Sequence, residues 1–482
     1  MLSFSKRMWA PILAAAVCVA SAQAQQQQQP PPPPPPTTNP TQPAQPTTPV
    51  QPITNPDGSQ SGSNGDTASP IQTTASVVTG GLAPSVGESN EERSQIRIGV
   101  QAAESFDSNF PGAATPGMWN EISNFGGHLE LHHTGRTSEM MFRYAGGGLL
   151  DAQNSGFDKM YHQFEVAEAV QFRRWSLRLD DLFSYLPDSS FGFQMLGITQ
   201  SNLGNVSFLN PSVPPSQTIL TTQDMRVSNV ILAQIQVEAS QRTAFTFTGG
   251  YGLLHFTTPG FLDPTNYNFG FGYNYALNAR DVLGVSYQYN NYSFSSTNST
   301  INDSQVLVSY GHHITGRLAF QVGAGPELNY ETPPGSSIVI GRTLFGANAG
   351  LNYQFKESAI SASFSRGVTG GSGIIAGASG DTAQISANHQ LGRRTTIYGN
   401  FGYSFNQSLP QQSVATTTYQ GLYGGAGVDY KVAQRADFYV NYSYLHQNAN
   451  GPVCAGPACA VSFNRHQIWV GINFDFRPIP LY

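Results

Sequence analysis

Charge is what this sequence has least of. Lys, Arg, Asp and Glu together make up 11% of its 482 residues, whereas a soluble domain carries roughly 25%. The net charge of −6 leaves no basic footprint, which argues against nucleic acid as a partner. No run of 18 or more apolar residues occurs, so no transmembrane helix can be drawn. There is no G-x-S-x-G, P-loop or metal-ligand spacing, and the chain reads as a non-enzyme with no cofactor and no metal. What abounds is Tyr 22, Phe 29 and Gly 50. That is a strand-and-turn composition, opposed to helical bundles and coiled coils.

The N-terminal segment differs from the rest. Residues 1–24 place Lys6 and Arg7 before the apolar stretch Ile12 to Ala20 and end in Ala22-Gln23-Ala24, the pattern of a secretory signal peptide. Modification of Cys18 as a lipoprotein is the less fitting alternative, because Val17 is awkward just before such a site. From Gln25 to about residue 90 runs a Pro/Gln/Thr-rich tract with the proline run Pro30 to Pro36. It cannot bury enough apolar surface to offset its ordering entropy, so the expectation is a disordered tether, either a periplasmic spacer or a dispensable linker.

Beyond residue 94 the sequence alternates. Tyr267, Phe269, Phe271, Tyr273, Tyr275 and Leu277 are large and apolar, while Asn268, Gly270, Gly272, Asn274 and Ala276 between them are small or polar. Period two over that length means a strand with one greasy and one polar face. After Asn278-Ala279-Arg280-Asp281 the pattern resumes with Leu283, Val285, Tyr287 and Tyr289, which completes a hairpin. Short turns with a basic residue, such as Arg136, Arg173, Arg242, Arg280, Arg317, Lys356, Arg393 and Arg435, recur about every 38 residues. One interval, between Arg174 and Arg242, is longer by about 30 residues.

Nine long polar connections fall between these hairpins, at 104–121, 149–160, 187–223, 256–266, 294–303, 330–341, 366–380, 406–417 and 446–463. Together with eight short turns they imply eighteen strands. So large a sheet, greasy on one face and without helices to cover it, is explained by closure in lipid. The expected fold is all-β: a transmembrane antiparallel up-and-down β-barrel of about 18 strands over residues 91–482. A propeller shares the repeat length but not strands of this length.

The signal peptide, the basic short turns opposite long loops, and a last strand with Ile468, Val470, Ile472, Phe474 and Phe476 on one face resemble bacterial outer-membrane β-barrel proteins of the porin type. The resemblance spans residues 94–482. It implies a Gram-negative outer membrane with its lipid and lipopolysaccharide, insertion by the barrel-assembly machinery, passage of small polar solutes and a homo-oligomer as one arrangement. The tail from Arg477 to Tyr482 departs from the family, which usually ends on the aromatic residue of the last strand. Glu104, Phe106, Asp107 and Asn109 are also similar to uncharacterised β-barrel porins found beside exopolysaccharide-export genes. An export partner or tethering barrel is therefore the alternative to a channel.

If the apolar face meets lipid, the other face lines a lumen. The pore-lining candidates are Arg97, Glu130, Glu139, Arg143, Glu165, Arg178 and Asp180, with His128 among them. Such charges either form a transverse field that orders solutes or pair and stiffen the wall. Later strands offer mainly Asn, Gln and Ser, which suits uncharged polar solutes and water alike. The third long connection carries the constriction candidates Phe191, Phe193, Gln194 and Met195, because loops beyond about 15 residues are usually functional or disordered. Its alternative is a rim-packing loop. Glu168 and Asp181 fall on the lipid face, where a carboxylate is costly, so a β-bulge is expected there, with a covering protomer as the other solution. Cys454 and Cys459 are expected to close a local disulfide outside the cytoplasm.

Overall fold

The computed structural model describes residues 94–108, 119–151, 159–187, 219, 225–409, 416–450 and 462–481. The segments expected to be a signal peptide and a tether, the constriction candidates Phe191, Phe193, Gln194 and Met195, and the cysteines Cys454 and Cys459 lie outside them.

Eighteen long strands follow in order: β1 Gln95–Asp107, β2 Asn120–Thr134, β3 Ser138–Asp151, β4 Lys159–Gln171, β5 Trp175–Leu186, β6 Arg226–Ser240, β7 Thr243–Phe256, β8 Pro264–Ala276 and β9 Asp281–Phe294. The second half comprises β10 Ser299–Thr315, β11 Leu318–Thr332, β12 Ile340–Gln354, β13 Ser358–Thr369, β14 Ala378–Leu391, β15 Thr395–Ser408, β16 Thr418–Ala433, β17 Ala436–Asn450 and β18 Phe463–Asp475. Each is antiparallel to the next, and β1 pairs with β18 from Gly99↔Asp475 to Asp107↔Gln467, so the sheet closes on itself. A closed sheet has no free edge, which is what a strand-built membrane span requires. The two-residue strand β19, Ile479–Pro480, carries the C-terminal tail onto the start of β1 through Ile96↔Ile479 and Gln95↔Pro480. This extension lengthens the seam between the first strand and the C-terminal end of the sheet.

All eight basic turns sit at one end of the barrel and the longer connections at the other. The strands reach further toward the long-loop end than the sequence suggested. The connection expected over 294–303 is only residues 295–298, a tight turn in which Asn298 adopts φ 52. Asn is one of the few residues that tolerates the left-handed region.

Alternation decides the two faces. Phe269, Val308, Phe345, Val322 and Phe401 stand outward and exposed, while Asn268, Ser286, Ser309 and Asn441 point inward and are buried. The inner wall gains packing from tyrosines laid across glycines of the neighbouring strand: Tyr439 over Gly471, Tyr423 over Gly402, Tyr398 over Gly427 and Tyr161 over Gly147. Tyr161, Tyr423, Tyr439, Trp469 and Leu445 join one buried cluster on the inner face of β16–β18 and β1–β5. At Gly471 an added side chain would meet the Tyr439 ring and, at 2.8 Å, the Cβ of Ala103. Gly471→Val should therefore destabilise the barrel by about 1–3 kcal/mol, as overpacking does, and a urea unfolding midpoint equal to wild type would contradict this.

The bulge expected near Glu168 and Asp181 is absent. Strand β4 pairs with β5 without a break from Gln171↔Ser176 to His162↔Tyr185. Both carboxylates stay on the outer face, and Asn229 of β6 reaches Asp181, donating from Nδ2 to Oδ1 at 2.7 Å. That hydrogen bond compensates part of the desolvation of Asp181 locally.

Candidate functional site: the lumen and its mouth

The strands bring the seven pore-lining candidates to the inner wall, four of them in one belt. Register places Arg97 opposite Glu130, Glu130 opposite Arg143 and Arg143 opposite Glu165. The signs alternate strand by strand, and residues directly opposite on one face are neighbours. Arg143 lies 3.1 Å from Glu130 and 3.7 Å from Glu165. Further round, Arg178 grips Asp180 two residues along the same strand, Nε to Oδ2 at 2.7 Å and Nη2 to Oδ1 at 3.0 Å. Toward the short-turn end, Glu139 meets His132 at 2.9 Å and His128 meets Asp475 at 2.9 Å. These charges pair along one wall rather than facing one another across the lumen. Of the two readings of the candidates, local pairing is the geometry present.

Inward charges are not confined to the first five strands. Arg226, Asp303, Glu327, Glu331, Arg342 and Arg465 also lie on the inner wall, and Arg226, Asp303, Glu327, Glu331 and Arg465 are buried. The sequence reading missed Asp303, Glu331 and Arg465 because it placed them in or beside connections. Continuing the period-two pattern outward from the turns would have found them.

The mouth holds a second feature. Strand β12 pairs with β13 only as far as Ala347↔Arg366, yet β13 goes on pairing with β14 up to Thr369↔Ala378. Above Arg366 the sheet therefore parts between β12 and β13, while β14 stays paired with β15 as far as Ala378↔Ser408. The direction of β13 is fixed by what it touches. The Val368 N–H donates to Oε1 of inward-facing Glu327 at 2.8 Å, and the inward-facing Tyr292 hydroxyl donates to Val368 O at 3.3 Å. Tyr292, Phe294, Ile301, Val368 and Leu409 form one buried cluster, and Ile374 packs on Leu254, Phe256 and Phe261. Strands β7, β9 and β10 are far from β13 around the wall, so such contacts arise only if the tip bends into the lumen.

The tip, residues 370–377, turns through a single 3-10 turn at Gly371–Gly373. Gly371, Ser372, Gly373 and Gly377 all adopt positive φ, at 70, 57, 77 and 83°; glycine takes such values at little steric cost. At Gly373 and Gly377 an added side chain would also run into Phe256 and Ile301. Two other connections fasten the tip: the Leu262 N–H donates to Gly373 O at 2.8 Å, and the buried Ile219 N–H donates to Ser372 Oγ at 3.0 Å. Ile219 belongs to the third long connection, which thereby meets the hairpin from β13, seven strands further round. The sequence had the segment 366–380 as a polar loop. Its signal was Gly370-Gly371-Ser372-Gly373 followed by Ile374-Ile375, close-approach residues next to an apolar pair that a solvated loop does not need.

The described residues thus define a closed eighteen-stranded antiparallel barrel with an apolar outer wall, a polar inner wall and an inward-folded hairpin at one mouth. No protein-family model matches the chain, and no curated protein does. Among solved structures it is similar to OccAB3 of Acinetobacter baumannii, at 9% identity and TM-score 0.40 over 79% of this chain and 99% of that one. It is also similar to OpdK of Pseudomonas aeruginosa with vanillate, at 8% identity and TM-score 0.41 over 79% and 99%. A third is OccK2 of Pseudomonas aeruginosa in complex with glucuronate, at 9% identity and TM-score 0.39 over 80% and 98%. At these identities the likeness is one of barrel form.

Proposed function

We propose that this protein is an outer-membrane channel of the porin type that passes small polar solutes. The observation that carries the reading is the opposition of faces: a closed barrel whose outer wall is exposed and apolar while its inner wall is lined by amides, hydroxyls and paired charges. In water the outer wall would be an aggregation surface; in a bilayer it is the lipid contact. The inner wall supplies hydrogen-bond donors and acceptors along the path. Because Arg97, Glu130, Arg143 and Glu165 alternate in sign along one wall, selectivity rests on the width of the mouth and on polar contacts more than on net charge. Vanillate and glucuronate, which accompany two of the similar channels, are the size of solute to try.

Single-channel recording of the refolded protein in planar bilayers tests the reading. The expected result is stable conductance steps with only a modest preference between K⁺ and Cl⁻. Absence of conductance, persisting after the inward hairpin is removed, would count for the alternative of a tethering or export-associated barrel.

A further inference from the structure

The inner wall is chemically two-sided. Strand β13 stands halfway round the closed sheet from β4, so the neutral strands β12–β15 face the charged wall of β1–β5 across the lumen. Their levels match, because all short turns lie at one end. Arg143 follows Ser138, the start of β3, by five residues, and Ser363 follows Ser358, the start of β13, by the same five.

Neither side welcomes an anion. On β13, β14 and β15 the charged side chains are Arg366 and Asp381, which face outward 3.6 Å apart, and His389 also faces outward, so every inward position there is neutral. Elsewhere on the inner wall the guanidinium groups are engaged: Arg143 with Glu130 at 3.1 Å, Arg178 with Asp180 at 2.7 Å, Arg342 with Glu331 at 2.7 Å and Arg465 with Asp107 at 2.6 Å. Arg97 is set opposite Glu130, and Arg226 is 1% exposed. A carboxylate that sheds water here must compete with a wall carboxylate for its cation, and an ion taken from water without a partner is costly. A hydroxyl exchanges water for an amide or another hydroxyl at little net cost.

The neutral side also has a recess. Gly350 of β12 is set opposite Ser363, Ser363 is set opposite Gln384, and a side chain added at Gly350 would meet no atom within 4 Å. Asn352, two residues along the same strand, is exposed, and Ser363 and Gln384 are half-buried. Bare backbone bordered by amides and a hydroxyl leaves room for a solute that brings hydrogen-bonding groups of its own. We propose that the channel prefers uncharged polyhydroxyl solutes to carboxylates of the same size, and that Gly350, Asn352, Ser363 and Gln384 set the preference, a claim that rests on the channel reading and narrows it. The charged wall then excludes by having its bases already paired, while the neutral wall offers the contacts.

Efflux of radiolabelled glucose and glucuronate from proteoliposomes carrying the full-length protein tests this. The two solutes share a ring and differ in a hydroxymethyl group against a carboxylate. At low salt, where charge is least screened, glucose should leave roughly five-fold faster or more. Gly350→Arg sets a guanidinium where Asn352, Ser363 and Gln384 offer no carboxylate to hold it, and it should narrow or reverse that ratio in favour of glucuronate. Gly350→Gln adds comparable bulk without charge; it should slow both solutes and keep the ratio. Equal efflux of the two solutes through the wild-type protein would overturn the preference, and so would one common ratio in the two Gly350 variants. Conductance steps recorded from the same preparation would in those cases leave the channel reading standing, whereas liposomes with neither efflux nor conductance would overturn both.

Discussion

Replacing residues 370–377 with a two-residue Asn-Gly turn should raise single-channel conductance several-fold while leaving the barrel folded. The wall does not depend on the hairpin tip: above Arg366, β13 pairs only with β14, and β12 from Ile340 to Gly346 is held by β11. Asn-Gly is the turn that suits two strands joined directly. The cost falls on the cluster of Tyr292, Phe294 and Ile301, which loses Ala376, and on Leu254, Phe256 and Phe261, which lose Ile374, and it should appear as a lower unfolding midpoint rather than a lost fold. Two point substitutions separate the tip's presence from its anchoring. Ser372→Ala removes the acceptor for the buried Ile219 N–H, leaving that donor unsatisfied at about 1–3 kcal/mol. Gly377→Val places a branched side chain at φ 83 against Ile301. Both should give noisy, switching conductance in place of steady steps. A conductance unchanged by all three variants would mean that the hairpin does not limit passage.

Most of the barrel was legible because its physics is local. Alternation at Tyr267–Leu277 sets the inside and outside of a strand without reference to the rest of the chain, and eight basic turns locate the hairpins. Strand number, closure and the inward placement of Arg97, Glu130, Arg143 and Glu165 all follow from that one period. The mouth was not legible, because its arrangement depends on contacts between distant segments. Nothing near Gly371 in the sequence announces Phe256 or Tyr292, and the hairpin's departure from β12 is seen only where the register stops at Arg366. Asp181 shows the same limit from the other side. Its neighbours in sequence suggested a bulge, whereas its hydrogen-bond donor, Asn229, arrives from a strand separated from it by the longest connection in the chain.

Closure of the seam yields the largest expected loss of stability. Every strand pair but one is joined by a connection in the chain; β1 and β18 must find each other as the two ends of the sheet, with the loop-closure cost of the whole barrel between them. At the long-loop end Arg465 holds Asp107 through Nε at 2.8 Å and Nη2 at 2.6 Å, both to Oδ2, and Gln467 Nε2 adds a third donor at 2.9 Å. Asp107 is wholly buried. Arg465→Met would leave a buried carboxylate without its guanidinium, which costs about 3–5 kcal/mol when one partner of such a pair is removed. The double variant Asp107→Leu/Arg465→Met removes both charges and should recover most of that loss, since an apolar pair of similar size is often as stable as a buried ion pair. Screening is weak for buried pairs, so the loss should persist from low salt to about 1 M. At the other end the seam has a different fastening, His128 to Asp475 and the tail strand on Ile96, which keeps the single variant closed there and lets it open from the mouth. Urea unfolding of the four proteins of the cycle measures the coupling. If Arg465→Met and the double variant lose equal stability, the Arg465–Asp107 pair is not what holds the seam, and closure must be credited to the backbone ladder between Gly99 and Asp107 alone.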